Sequence, residues 1–328
     1  MTTHRPPPAD DTPTPRIAIV GARRAQQGLG PFVARDLHRA GVTVACFLAT
    51  SAASRDAARD ALERTWGIDA RGYLDLDTML ETESLDALAI LSPAETHAHY
   101  LEAALEAGLH VLCEKPFVWG SVDLAADTQR ITQGFDAREL SLWENCQWPY
   151  ALPAYAQLFP EIALASVRRF EMLLQPSSGG VECLGDALPH ALSLLQAVAP
   201  EGPASVEGIR FTTRDAGAPA QVVRFEYHSG GRTIDVTVRL HQNHTARPRR
   251  ARLALDGREA ERAVAGEDYR MVFRTAERSV PVDDPLTLLV EDFARALQRR
   301  AGASRSGEIA QRMQLLGEIT EAYGASAP

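Results

Sequence analysis

Lysine is almost absent from this chain. Of its 34 basic residues only Lys115 is a lysine, and the others are all arginines. An arginine guanidinium stays charged at any ordinary pH, whereas a lysine ammonium is a point charge whose pKa shifts readily on burial. A single lysine in an arginine-rich chain therefore indicates a chemical role for Lys115, although chance survival at an exposed position would give the same count.

Other scarcities exclude whole classes of protein. No apolar run approaches the ~20 residues of a membrane-spanning helix, and a net charge of −9 leaves no basic excess for nucleic acid or anionic membranes. Residues 1–15 contain five prolines but no signal-peptide stretch, and we expect a disordered tail there. The four cysteines have no C-x-x-C or metal spacing, which favours a reduced, cytoplasmic, water-soluble chain; they are Cys46, Cys113, Cys146 and Cys183.

The first half of the chain alternates apolar runs with amphipathic stretches. The apolar runs predict strands at 17–20, 42–48, 87–91, 109–113 and 140–143, and the stretches between them predict helices at 32–39, 55–66, 96–107 and 122–133. This alternation is typical of βαβ units around a parallel sheet covered on both faces. At 328 residues the chain is long enough for two domains. We predict an α/β fold in which residues 16–143 form a Rossmann-like, doubly wound domain.

Residues 144–328 follow a different period. Apolar and polar residues alternate over 223–227 and 234–240, as in strands with one face in water. Ser229-Gly230-Gly231 lies between these runs and predicts a hairpin. Further strands are predicted at 167–174, 205–213 and 250–256, and helices at 285–300 and 307–323. This half is predicted to be an α+β domain with a large, mostly antiparallel sheet.

A glycine-bearing loop follows the first predicted strand. Gly21, and then Gly28 and Gly30 before the next helix, would let backbone amides approach a pyrophosphate, with Arg23 and Arg24 adding positive charge. The compact G-x-G-x-x-G spacing is absent, because six residues separate Gly21 from Gly28. The alternative is a long turn that needs glycine for backbone geometry alone.

The end of the second predicted strand has no acidic residue. NAD-binding domains place an acid there, about twenty residues on, to hold the ribose hydroxyl. This chain has Thr50, Ser51 and Arg55 instead. Hydroxyls and an arginine suit a 2′-phosphate, so the pattern favours NADP(H) as cofactor, with NAD(H) as the other possibility. A Ser54 that caps the next helix, with Arg55 on its solvated face, is the competing and compatible explanation.

Two stretches carry a specific family resemblance. One is Leu91-Ser92-Pro93-Ala94-Glu95-Thr96-His97, and the other runs from Glu106 to Pro116 and ends in Glu114-Lys115-Pro116, after a predicted buried strand. Both closely resemble the Gfo/Idh/MocA oxidoreductases, and the resemblance extends from Arg16 to Tyr323. It implies a Rossmann domain joined to a C-terminal sheet domain for substrate binding, and a homodimer or homotetramer through that sheet. It also implies cofactor contacts from Ser92, Pro93, His97, Glu114 and Lys115.

The second motif of that family, Asp-x-Gly-x-His, is matched in part. Asp186 and His190 occupy its Asp and His positions, while Leu188 replaces the glycine and Ser193 replaces an acid that often follows. Because proline is tolerated in a first helical turn, Pro189 predicts that Asp186 lies near a helix start. A histidine near a helix N-terminus is favoured in its neutral form, which can accept a proton. Taken singly, Asp186 would be an N-cap and His190 a core histidine.

Together with Lys115, this pair predicts hydride transfer coupled to proton transfer on a sugar, cyclitol or similar hydroxy or oxo compound. His190 is expected to take the hydroxyl proton as general base while hydride leaves the same carbon for C4 of the nicotinamide. Lys115 is expected to stabilise the charge that develops on the oxygen, and Asp186 to position the substrate. The alternatives are a C=N or conjugated-bond reductase of the same fold, and a non-catalytic nucleotide-binding protein that the expanded glycine loop would suit.

The segment 143–150 follows the last strand of the first half and is dense in aromatic and amide groups. Asn145, Gln147 and Trp148 are therefore predicted to contact a sugar-like or aromatic substrate, with interdomain packing as the alternative. We predict no metal site. His97 and His99 are two residues apart on a helix and do not converge, and the histidines and arginines at 228, 241, 244, 247, 249 and 250 lack ligand spacing and are expected on a solvated sheet edge.

Overall fold

A computed structural model of the chain describes residues 13–23, 28–214, 220–244, 249–265, 270–299 and 304–326. Arg24, Arg247 and most of the predicted tail lie outside these ranges. The described strands are β1 (Arg16–Val20), β2 (Thr43–Leu48), β3 (Arg71–Tyr73), β4 (Ala87–Ile90), β5 (His110–Cys113), β6 (Leu142–Glu144), β7 (Arg169–Leu174), β8 (Ala204–Arg214), β9 (Ala220–Ser229), β10 (Arg232–His241), β11 (Ala251–Leu255), β12 (Arg258–Ala265), β13 (Arg270–Arg274) and β14 (Ser279–Pro281). The described α-helices are α1 (Gly30–Arg39), α2 (Ala52–Trp66), α3 (Leu76–Thr82), α4 (His97–Glu106), α5 (Leu124–Ala137), α6 (Leu152–Leu158), α7 (Glu182–Val198), α8 (Pro285–Arg299) and α9 (Ser306–Ser326).

The first six strands form one parallel sheet in the order β3-β2-β1-β4-β5-β6. This is the strand order of the doubly wound dinucleotide-binding fold, in which the order of strands along the sheet reverses between β1 and β4. Its central strands are mostly apolar because both faces are covered: Ala18 and Val20 enter one core, and Ile17 and Ile19 enter the other. The predicted Rossmann-like sheet is confirmed. The short strand β3 and helix α3 were not predicted.

The remaining eight strands form a second sheet in the order β14-β13-β12-β11-β7-β10-β9-β8. All its neighbouring strands are antiparallel except β7 and β10, so the prediction of a mostly antiparallel sheet is confirmed. Gly230 and Gly231 form the predicted two-residue hairpin between β9 and β10, with φ of 56° and 73°. Positive φ at both positions is what this turn requires. Strands β12 to β14 and helix α6 were not predicted.

The two sheets share a core, and the end of the chain returns to the first sheet. One apolar cluster runs from a face of the first sheet through α7 to the covered face of the second. On the other face of the first sheet, Leu289, Val290 and Phe293 of α8 complete a smaller cluster against α1. Helix α9 packs on α5 and α7. A domain boundary between residues 143 and 144 stays a prediction, since α8 packs with the half that precedes this boundary.

The described part of the chain contains no candidate for a membrane-spanning helix. None of its helices combines the length and apolarity that crossing a bilayer requires. The four cysteines are free and buried.

Candidate active site

A cavity of about 560 Å³ lies at the carboxyl edge of the first sheet, where it faces α7 and the second sheet. In open α/β sheets ligands bind at this edge, close to the point where strand order reverses. The loops after β1, β4, β5 and β6 reach the cavity, and α7 and strands β7, β11 and β12 close it. The residues predicted from sequence that line it are Gly28, Ser92, Pro93, Glu114, Lys115, Asn145, Gln147, Trp148, Asp186 and His190.

Lys115 and Asp186 form an ion pair in the cavity wall. The lysine Nζ donates to Asp186 Oδ1 and to the Asp186 backbone carbonyl, each at 2.6 Å. The lysine side chain is 15% exposed. Burial acts to lower the pKa of Lys115, but the charges of Asp186 and Glu114 outweigh it and the pKa is raised. Burial acts to raise the pKa of Asp186, and Lys115 reverses this, so that pKa is lowered. Both groups are therefore charged at neutral pH.

Asp186 does not lie near a helix start, so that prediction was wrong. Helix α7 begins at Glu182, which makes Asp186 its fifth residue and leaves Pro189 inside the helix. The segment before the proline is held in the helix by burial, since Cys183 and Leu184 are at most 4% exposed, and this offsets the cost of the proline. Pro189 has no N–H to donate to the Gly185 carbonyl four residues earlier, which is next to the Asp186 carbonyl that accepts from Lys115.

His190 lies one turn beyond Asp186, on the same face of α7. Its pKa is held well below the ordinary value, first by burial and then by the Lys115 charge, which together outweigh Asp186. The neutral imidazole that we predicted therefore has a different cause, because His190 is more than two turns from the helix N-terminus. Its Nδ1 is buried and has no hydrogen-bond partner among the described residues. Ser193 donates to the His190 carbonyl at 2.9 Å and does not line the cavity.

Glu114 and Asn145 occupy the ends of the neighbouring strands β5 and β6. Asn145 Nδ2 donates to Glu114 Oε1. Asn145 is 2% exposed, and its Oδ1 has no partner among the described residues. Burial raises the pKa of Glu114, against the opposing charge of Lys115. The amide group of Asn145 thus has one buried oxygen without a partner among the described residues, in the wall of the cavity that Lys115 also lines.

The glycine loop after β1 brings backbone segments into close contact. Gly21 has a φ of +87°, and a Cβ there would lie 2.5 Å from the Leu91 carbonyl oxygen. A Cβ on Gly30 would lie 2.2 Å from the Gly21 carbonyl oxygen. Leu29 at the N-cap of α1 supplies no side-chain hydrogen bond to the first helical turn. This arrangement fits a dinucleotide pyrophosphate, because a close backbone approach at the positive end of a helix dipole is what binds phosphate in such loops.

The residues predicted to hold a 2′-phosphate lie at the same sheet edge but outside the cavity. Thr50 is exposed at the end of β2, and Arg23 is exposed after β1. Ser51 is the N-cap of α2 and accepts from the Ser54 amide, while Ser54 Oγ in turn accepts from the Ser51 amide. Arg55 makes a 3.1 Å ion pair with Asp56 and keeps a side-chain exposure of 34%. The predicted cap is therefore present, but its N-cap is Ser51 and not Ser54, which takes the third helical position of the capping box; Arg55 is still accessible.

His97 lies beneath the cavity wall. It is fully buried, and its ring nitrogens each lie 2.9 Å from a backbone carbonyl oxygen, that of Pro116 for Nδ1 and that of Ser92 for Nε2. Burial lowers its pKa. His97 joins the loop after β4 to the loop after β5, and so fixes Ser92 and Lys115 relative to each other.

Several lining residues were missed by sequence reasoning, and they come from the second sheet and its approaches. Arg249 and Arg250 were expected on a solvated sheet edge but line the cavity, because the chain leading into β11 passes its opening. Arg262 of β12 also lines it, with its guanidinium 4.7 Å from the centroid of the Trp148 ring. The available signal was the position of Arg262 in the apolar phase of an alternating strand. Among the described residues no three His, Cys, Asp or Glu side chains are grouped as a metal site would require.

Comparison with known proteins matches these observations. Residues 15–144 match a family model, Gfo/Idh/MocA, described as an oxidoreductase family with an NAD-binding Rossmann fold. The chain is 42% identical over 79 residues to a D-xylose 1-dehydrogenase (NADP(+)) from Haloferax volcanii, which is 24% of each chain. It is 42% identical over 98 residues to a dTDP-3,4-didehydro-2,6-dideoxy-alpha-D-glucose 3-reductase from Streptomyces violaceoruber, which is 30% of this chain and 26% of the relative. The alignments thus span about a quarter of the length of these curated relatives.

The whole fold has a solved counterpart. A scyllo-inositol dehydrogenase from Lactobacillus casei, with bound NAD(H) and scyllo-inositol, superposes with a TM-score of 0.66 at 15% identity, covering 95% of this chain and 98% of that one. Identity at this level establishes the two-sheet fold and nothing finer. Residues 15–144 of this chain, its Rossmann domain, match the Gfo/Idh/MocA oxidoreductases.

Proposed function

We propose that this protein is an NAD(P)-dependent oxidoreductase that transfers hydride between nicotinamide C4 and a CH–OH or C=O group of a sugar, cyclitol or similar small polar compound. The observation that carries the proposal is the meeting of Lys115, Asp186 and His190 in one cavity, at the edge of the sheet whose first loop fits a dinucleotide. The named activities of the curated relatives, on a xylose and on a nucleotide-linked sugar, support the substrate class.

Lys115 has the donors that this role needs. An ammonium group has three N–H donors, and two are directed to the Asp186 carboxylate and carbonyl. The third is left for a substrate oxygen, where it would stabilise the negative charge that develops as a hydroxyl loses its proton. Asp186 keeps the lysine charged and in place.

His190 would take the hydroxyl proton in the oxidising direction and return it in the reducing direction. Its lowered pKa keeps the imidazole neutral and able to accept a proton at physiological pH. Nicotinamide, when bound, supplies the hydride acceptor or donor. Asn145, Gln147 and Trp148 would orient the substrate above this pair, and Gly21, Gly28, Gly30, Ser92, Pro93 and Glu114 would contact the cofactor.

We favour NADP(H) as cofactor. The residues that follow β2 include no carboxylate before Asp56, so no acid is placed to hold a ribose 2′-hydroxyl in the NAD manner. A 2′-phosphate could accept hydrogen bonds from the hydroxyl of exposed Thr50. It could also accept them from the guanidinium groups of exposed Arg23 and of the accessible part of Arg55. A fluorescence titration with NADPH and with NADH tests this. We expect NADPH to bind more tightly; tighter NADH binding would reverse the preference, and binding of neither would favour a non-catalytic protein.

The catalytic roles are tested by comparing His190→Gln and Lys115→Met with the parent on a panel of sugars and cyclitols. Both variants should lose at least about 100-fold in kcat/KM while binding NADPH as the parent does. His38→Gln is the matched control, because His38 is exposed on α1 and away from the cavity. Variants that bind cofactor and turn over substrate like the parent would contradict the assigned roles.

We also propose a cytoplasmic homodimer or homotetramer assembled through the second sheet. The face of this sheet opposite α7 is broad and carries ordered ion pairs, such as Arg239 with Glu171 at 2.7 Å and Arg252 with Glu259 at 3.2 Å. Light scattering across a salt series tests the assembly. A monomer at all protein concentrations would contradict it.

A further inference from the structure

Arg262 occupies a position that the fold reserves for apolar side chains. It lies on β12 opposite Ala251 of β11 and Phe273 of β13, which are 1% and 0% exposed. Ala260, two residues earlier and so on the same face of the strand, is fully buried. The guanidinium therefore projects from the covered face of the second sheet, into the wall of the cavity that holds Lys115, Asp186 and His190.

The charge of Arg262 has no carboxylate partner at ion-pair distance in the part of the chain that the structure describes. Other arginines of this sheet are paired: Arg250 with Glu261, Arg252 with Glu259, and Arg274 with Glu261. Arg262 instead stacks on the Trp148 ring, at 4.7 Å from its centroid, and feels Asp284 only from a distance. Burial lowers its pKa to about 10, which leaves it charged at neutral pH.

A half-buried charge without a counter-charge costs folding free energy, which a protein recovers when a ligand supplies the opposite charge. In this cavity Lys115 and Asp186 neutralise each other, so Asp186 does not supply the negative charge that Arg262 lacks. The planar fork of an arginine matches the two oxygens of a carboxylate or phosphate, and its stacking on Trp148 holds that fork in one orientation.

We propose that Arg262 and Trp148 form a subsite for an anionic group of the substrate, so that the substrate is an acidic sugar or cyclitol derivative bearing a carboxylate or a phosphate. This rests on the proposed function for the reacting end of the molecule, since Lys115 and His190 handle the hydroxyl while Arg262 holds the charged end. Arg262 is then a specificity-determining residue. Its removal should weaken binding of the anionic substrate far more than it slows the chemical step.

The test is calorimetric binding to the full chain in the presence of NADP⁺. Matched neutral and anionic probes are compared: D-glucose with D-glucuronate and D-glucose 6-phosphate, and myo-inositol with myo-inositol 1-phosphate. The carboxylate and phosphate arms distinguish the two sources of negative charge. At least one anionic probe should bind about 10- to 150-fold more tightly than its neutral partner, the range of a hydrogen bond to a charged group.

Arg262→Gln should abolish that difference, and Arg262→Lys should restore part of it, because a lysine keeps the charge but loses the fork. The matched control is Arg252→Gln, an arginine of the same sheet that is paired with Glu259 outside the cavity. It should bind every probe as the parent does. Neutral probes that bind as tightly as anionic ones, a parent that binds no anionic probe, or equal losses in Arg262→Gln and Arg252→Gln would each overturn the proposal.

Cofactor reduction with the same probes separates this inference from the proposed function. Anion binding that depends on Arg262, without hydride transfer to any nicotinamide cofactor, would contradict the oxidoreductase and leave the anionic subsite in place. Turnover of neutral sugars that Arg262→Gln leaves unchanged would support the oxidoreductase and contradict the subsite.

Discussion

Glycine-to-alanine substitutions in the loop after β1 separate two effects on stability, steric contact and backbone conformation. Gly30 has an ordinary φ, so a Gly30→Ala substitution incurs no conformational cost and should favour the helix by about 1 kcal/mol. Its Cβ, however, would lie 2.2 Å from the Gly21 carbonyl oxygen and 2.8 Å from two backbone atoms of Ala22. Contacts this short can be relieved only if the loop backbone moves. We therefore expect a net loss of about 1–3 kcal/mol in the free energy of unfolding, as for overpacked interiors.

Gly67→Ala is the matched control for conformation. Gly67 ends α2 with a φ of +67°, and a Cβ there would meet no atom within 4 Å. Its loss should be only the left-handed penalty of about 1–2 kcal/mol. Gly21→Ala combines a φ of +87° with a 2.5 Å contact, and its loss should exceed that of either single effect.

Urea unfolding and NADPH titration of the three variants decide the matter. Gly67→Ala should bind NADPH like the parent, because α2 ends far from the cavity opening. Gly30→Ala and Gly21→Ala should weaken NADPH binding at least about tenfold, since a shifted loop misplaces the amides meant for phosphate. A Gly30→Ala protein with parental stability and parental NADPH affinity would refute the assignment of this loop as the cofactor cradle.

Three further predictions concern buried charge. The pKa of His190 in the folded chain lies below its ordinary 6.5, so that below pH 6.5 the unfolded chain binds a proton that the folded chain does not. The free energy of unfolding should therefore fall as the pH drops below 6.5. It should fall further below pH 3.8, because the pKa of Asp186 is also lowered in the folded chain. Arg312→Met should lower the free energy of unfolding by about 3–5 kcal/mol, because it leaves Glu144 buried without the guanidinium 2.7 Å away, and adding Glu144→Gln should recover part of the loss. Arg262→Met should raise the free energy of unfolding by about 0.5–2 kcal/mol, because it removes a charge that has no carboxylate partner.

Urea denaturation measures all three. Stability that stays constant between pH 7 and pH 5 in the parent, and equally in His190→Gln, would contradict the first. A double variant no more stable than Arg312→Met would contradict the second. A loss of stability in Arg262→Met would show that its stacking on Trp148 outweighs its desolvation.

The nucleotide-binding half could be predicted from local pattern, because its strands are continuous apolar runs and its helices fill the intervals between them. Lys115 was placed correctly just after β5 for the same reason: the run before it is apolar, and the polar pair Glu114-Lys115 followed by Pro116 ends that run. Its contact with Asp186 spans 71 positions, and the residues alone carry no signal for such a contact.

The second half shows where local reasoning fails. Pro189 predicts a helix start, but tertiary burial of Cys183 and Leu184 extends α7 a further turn towards the N-terminus. Strand β12 was missed because its apolar alternation is interrupted by Arg262 itself. Arg262, which interrupts the strand pattern, is also the residue that indicates a ligand. A charge among apolar positions costs folding free energy unless an opposite charge binds it.

The return of α8 to the first sheet has a consequence for how the chain is made. Leu289, Val290 and Phe293 fill a core whose other walls are complete some 140 residues earlier in the sequence, by the end of β6 at Glu144. During synthesis the apolar residues of the nucleotide-binding half that α8 covers stay exposed until α8 emerges from the ribosome. The first domain is therefore closed late, by α8 and then by α9 on α5, and the incomplete half is the species that a chaperone would bind.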